Sequence, residues 1–92
     1  MSAKDRNRTL LRLEQTLSAF VPESRYCIDA SQRDGCMVLT QDGEQWIVYF
    51  RVGLLIEDVT VHDTLEEAAL QLIRNVAPSP EAEDEMKKRF LS

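Results

Sequence analysis

The stretch DGEQWIVYFRVG, residues 42–53, decides how this chain folds. It opens on Asp42-Gly43 and runs directly into Trp46-Ile47-Val48-Tyr49-Phe50. Asp-Gly between β-rich runs is a strong local hairpin signal, because a two-residue type I′ turn needs positive φ at both central positions. The run upstream, CMVLTQ, and the run downstream, EQWIVYF, are then paired strands. If Gln41 faces Glu44, Leu39 faces Trp46 and Met37 faces Val48. Those residues and Phe50 make one strongly apolar face. The other face carries Cys36, Val38, Thr40, Gln45, Ile47, Tyr49 and Arg51, and its Val38, Ile47 and Tyr49 give it apolar surface of its own. One small core does not need both faces. The second is expected to receive a helix, a second copy of the chain, or another protein.

Working outward, Gly53 permits another reversal, and LLIEDVTVH at 54–62 reads as a third long strand. Its alternation breaks at Glu57-Asp58, where a bulge or the strand's twist could turn both acids outward. Upstream, RYCIDAS at 25–31 reads as a short strand followed by the polar loop QRDG. Before it, Leu10, Leu13, Leu17 and Phe20 recur at three- and four-residue steps, which predicts a helix over 3–20. Ser2 with Asp5 fits its capping box, and Pro22 ends it.

After the third strand, Asp63 or Thr64 caps a helix whose stripe is Leu65, Ala68, Ala69, Leu72, Ile73 and Val76. Residues 77–80 form a short proline-containing connector. Ser79-Pro80 then starts a shorter helix with acids at its beginning, bases at its end, and Ala82, Met86 and Phe90 to pack it down. The expectation is one domain, residues 1–92, of the α+β class. It has an N-terminal helix, an antiparallel meander of three or four strands, then one long and one short C-terminal helix (α-β-β-β-α-α).

Composition bounds the function. An apolar fraction of 43% with 29% charged residues is ordinary for a soluble domain. No apolar stretch near the start is long enough for a signal peptide, and none approaches the roughly 20 residues of a membrane span. The chain is therefore expected to be cytoplasmic. Net charge is −5, unevenly spread. Residues 1–33 carry six basic and four acidic side chains; residues 34–92 carry five and twelve. An acidic surface repels nucleic acid and anionic membrane and speeds encounter with basic partners. The basic cluster Lys4, Arg6, Arg8 and Arg12 reads as a solvated helix face.

No catalytic constellation is visible. His62 is the single histidine and stands just before a helix cap. Cys27, Cys36 and His62 lack metal-ligand spacing, and no glycine belongs to a phosphate-cradling loop. Neither cofactor nor metal is expected, and the chain reads as a binding protein rather than an enzyme. The nine-residue separation of Cys27 and Cys36 permits a bridge between neighbouring strands, with partly buried thiols the reading for a reducing compartment.

From Trp46 to Leu72 the chain resembles small bacterial immunity proteins, the neutralisers of polymorphic or contact-dependent toxins. Several such families have a tryptophan leading an alternating V-x-Y strand, a glycine turn, a second strand, and a helix opening with acids and alanine. The matching segments here are WIVYFRVG, LLIEDVTVHD and TLEEAALQLI. Arg51-Val52 and Val61 depart from the pattern, which has Glu-Arg before the glycine and an aromatic late in the second strand. The resemblance implies a protein that binds one toxin domain and blocks its active site or substrate access. On this reading Ile47 and Tyr49 centre the contact, with Arg51 on the same face. Asp42, Glu44, Glu57 and Asp58 form the charged rim. The alternative is a small acidic secretion chaperone that holds an effector segment as a dimer. Partners are thus expected to be proteins, not nucleic acid or membrane, with the chain itself a monomer or homodimer.

Overall fold

Three helices share one face of a four-stranded sheet. The computed structural model describes residues 3–28 and 34–92. Helix α1 spans Ala3–Phe20, and a 3-10 turn follows at Glu23–Arg25. The strands are β1 (Tyr26–Ile28), β2 (Cys36–Asp42), β3 (Gln45–Val52) and β4 (Leu55–His62). Helices α2 (Leu65–Val76) and α3 (Pro80–Leu91) complete the chain. The α+β class and the element order agree with the sequence pattern. The predicted Ser2 cap and residues 29–31 of the predicted first strand lie outside the described residues.

The sheet order is β1-β2-β3-β4, and the sheet is mixed rather than purely antiparallel. Strand β1 runs parallel to β2, with Tyr26, Cys27 and Ile28 opposite Met37, Val38 and Leu39. No two-residue turn joins β1 to β2, so no local chemistry in the sequence dictates its direction. The other pairs are antiparallel hairpins.

The β2–β3 register also departs from expectation. Asp42 opposes Gln45, Gln41 opposes Trp46 and Leu39 opposes Val48. The two-residue connection is therefore Gly43-Glu44. Gly43 takes φ +62°, and Glu44 is not in the positive-φ region. Glycine at the first central position is the order of a type II′ turn, not the expected type I′. The shift is two residues along the partner strand. Because side chains alternate with period two, the same residues still share each face.

Met37, Leu39, Trp46 and Val48 accordingly pack on the helices, with Phe50 half-buried against them. They meet Leu13 and Leu17 of α1, Leu65, Ala68, Ala69, Leu72 and Ile73 of α2, and Met86 and Phe90 of α3. Each C-terminal helix is capped as its sequence predicts. The Thr64 hydroxyl accepts from the Glu67 amide at 3.2 Å, and the Ser79 hydroxyl accepts from the Ala82 amide at 3.1 Å. Arg89 of α3 lies over the Phe20 ring, 4.9 Å from its centroid, and ties α3 to the end of α1. Among the described residues no helix is long and apolar enough to cross a membrane.

Candidate functional site

The opposite face of the sheet contains no helical residue in its buried cluster. The strand register lays its side chains out in rows running from β1 to β4. One row is Cys27, Val38 and Tyr49. The next toward the β3–β4 turn is Cys36, Arg51 and Ile56. The row on the other side is Thr40, Ile47 and Val61.

Burial falls along each row toward β4. Cys36 and Val38 are fully buried, Cys27 and Tyr49 nearly so, and Ile47 is half-buried. Ile56 and Val61 on β4 are 55% and 54% exposed. Val59, two residues from Val61 on the same row of β4, is exposed to the same degree. The apolar surface that sequence reasoning placed at Val38 and Tyr49 is thus closed. Each residue of the Cys27–Val38–Tyr49 row is flanked by its neighbours in the register, and these side chains pack on one another. The open apolar surface lies one strand further out.

Strand β4 owes its exposure to its place. Among the described residues it pairs only with β3 and forms the sheet's edge, so one side of its backbone has no strand partner there. The β3–β4 connection is Gly53-Leu54, with Gly53 at φ +59°. Three contacts hold it. The Gly53 amide donates to the Asp34 carboxylate, Arg51 Nε donates to the Gly53 carbonyl at 3.1 Å, and the Gly35 amide donates to the Arg51 carbonyl at 2.8 Å. Leu54 at the tip is 97% exposed, and Val52 and Leu55 beside it are also open. Leu54 was expected to begin the strand; it belongs to the turn.

The Glu57-Asp58 break is a bulge. Val48 opposes Thr60 but Phe50 opposes Glu57, so two β4 residues face Tyr49 alone. Asp58 sits there at φ 54°, the one described non-glycine residue at positive φ. Aspartate tolerates this region better than most side chains. Glu57 and Asp58 are exposed, and neither is in a salt bridge among the described residues.

The structure places Ile47, Arg51, Glu57 and Asp58 along the β3–β4 pairing; Tyr49 is buried, and Glu57, opposite Phe50, is on the helix side of the sheet. Asp42 and Glu44 are exposed at the β2–β3 turn; Asp42 opposes Gln45, which is five residues from Phe50 or roughly 17 Å along β3. Sequence reasoning missed Val52, Leu54, Leu55, Ile56, Val59 and Val61. Their signal was present: apolar residues of both parities in a strand that runs straight into a helix cap, with no further strand to cover it.

His62 is half-buried, with Nε2 2.9 Å from the Thr60 hydroxyl. Among the described residues no three His, Cys, Asp or Glu side chains converge as metal ligands. A cavity of about 480 Å³ lies between Phe20, Pro22, Met37, Phe50 and Val76, with Arg25 the one charged residue lining it among the described residues. No family description, curated protein or solved structure matches the chain.

Proposed function

We propose that this chain is an immunity protein that binds and neutralises a toxin domain through β4, its turn and its acidic bulge. The observation that carries the binding part is the exposed apolar edge: Leu54 in the turn, then Leu55, Ile56, Val59 and Val61 on the edge strand β4. An edge of this kind is a template for pairing with another chain. Covering these five side chains and Val52 contributes on the order of 5–10 kcal/mol. Association itself costs about 4–15 kcal/mol. Affinity must therefore also draw on strand hydrogen bonds and on charge. Glu57 and Asp58 supply the charge and select a partner with a basic surface, as a toxin domain with a basic cleft would have. The immunity role itself is supported by the likeness of residues 46–72 to that class.

The test is to look for a toxin domain encoded by a neighbouring gene and to co-express the chain with it. The expected result is rescued growth and a stable complex on size exclusion. Ile56→Asp with Val61→Asp should abolish both while leaving the chain folded. Rescue undiminished by that pair removes β4 from the function; no rescue and no complex removes the immunity reading.

One observation favours the chaperone alternative. An open strand edge also accepts an extended segment, adding it to the sheet as a fifth strand. A chain that sizes as a homodimer and binds an extended effector segment would establish that reading instead.

A further inference from the structure

The sulfur atoms of Cys27 and Cys36 lie 2.7 Å apart, buried, on the face away from the helices. Cys27 belongs to β1 and Cys36 opens β2, nine residues later. The geometry points to a dithiol–disulfide site: Cys27 and Cys36 form an intramolecular disulfide by exchange with a low-molecular-weight disulfide. A disulfide needs about 2.05 Å between sulfurs, so the native fold is within roughly 0.7 Å of bonding distance. No strand has to change place.

The exchange balances. The Cys27 thiolate attacks one sulfur of RSSR, forming a mixed disulfide and expelling RS⁻. The Cys36 thiolate then attacks the Cys27 sulfur, forms the internal S–S bond and expels the second RS⁻. The two protons lost by the cysteines convert both leaving groups to RSH, and the small disulfide takes the two electrons. Cys27 goes first because it lies on a three-residue edge strand and is 3% exposed, against 0% for Cys36. The short edge opens more readily than β2, which is paired on both sides.

The bond would staple β1 to β2 beside the row through Val38 and Tyr49, on which Ile47 packs. Closing a loop of this length lowers the unfolding constant about a hundredfold in the chain-entropy account. The inference is independent of the immunity reading, since it rests on the two thiols alone.

The experiment equilibrates the native full-length chain with oxidised and reduced glutathione, quenches it, alkylates in denaturant and measures intact mass. The expected result is loss of both alkylatable thiols with no added glutathione, at a rate independent of protein concentration. Under the same conditions a Cys36→Ser variant should stop at one glutathione adduct on Cys27. The oxidised wild type should unfold at a higher urea midpoint than the reduced form. Two thiols still alkylated after equilibration, two stable glutathione adducts, or a bridge formed only in denaturant would each overturn the proposal. The wild-type readout does not depend on the variant folding.

Discussion

The two edges of the sheet solve the same problem in opposite ways. Strand β1 is three residues long, and its Tyr26 and Cys27 are buried. It exposes little backbone and little apolar surface, as short edge strands do to avoid pairing with other chains. Strand β4 is eight residues long and exposes Ile56, Val59 and Val61 along its length. Its protection is limited to a bulge and two acids. An open apolar edge of this kind is the surface on which the proposed binding role rests. The contrast is one of burial: on the rear face, the closed row through Val38 and Tyr49 and the open side chains Ile56 and Val61 are separated by one strand.

The largest effect should come from placing a charge at the buried end of that gradient. Val38→Asp buries a carboxylate in a fully closed row and should cost on the order of 4 kcal/mol or more, enough to abolish cooperative folding. Val61→Asp, two strands away, should change stability by about 1 kcal/mol or less. Thermal unfolding followed by circular dichroism compares them directly. Similar losses at both positions would mean that β4 is as covered as β2.

Tyr49 sharpens the boundary. It was expected at the centre of contact, and it is 6% exposed. Tyr49→Ala should therefore act on stability, by about 3–5 kcal/mol in a urea titration. Affinity measured on the folded fraction should stay within about threefold.

The β4 side chains should behave in the reverse sense. On the proposed reading, Ile56→Ala with Val61→Ala should weaken binding of the toxin domain ten- to a hundredfold, about 1.4–2.8 kcal/mol, with less than about 1 kcal/mol lost from folding. Glu57→Lys should slow association several-fold at low salt and much less at high salt, because screening removes the long-range attraction. Stopped-flow association at two ionic strengths separates this from a packing effect.

Much of this was legible before any coordinates. The stripes of Leu13–Leu17 and Leu65–Ile73 and the caps at Thr64 and Ser79 read directly, because helices repeat at 3.6 residues and caps use few residue types. Sheet faces read correctly although the β2–β3 register did not. Moving the turn from Asp42-Gly43 to Gly43-Glu44 shifts partners by two, which the period-two alternation does not register. The direction of β1 was not legible, because no turn ties it to β2. Nor was the site. Whether Tyr49 or Val61 meets solvent depends on the order of strands in space, to which the sequence's one pointer is that β4 runs straight into a helix cap with no further strand after it.

The smallest effect concerns what sets the exposed row in place. Asp58 at φ 54° lets two β4 residues oppose Tyr49. Without that extra residue, the stretch from Leu55 to Glu57 would flip relative to the sheet. Ile56 would turn toward the helix side and Glu57 toward the row of Val59 and Val61, breaking the apolar row with a charge. Asp58→Gly keeps the left-handed conformation without a Cβ penalty and should stabilise the chain by up to about 1 kcal/mol with binding retained. Asp58→Val resists that conformation and should cost about 1–2 kcal/mol. Its binding loss should exceed what the change in folded fraction explains, because the strand now gains by losing the bulge. Equal urea midpoints for Gly and Val at this position would show that the bulge does not hold the row. The open edge would then owe its orientation to the Gly53 turn alone.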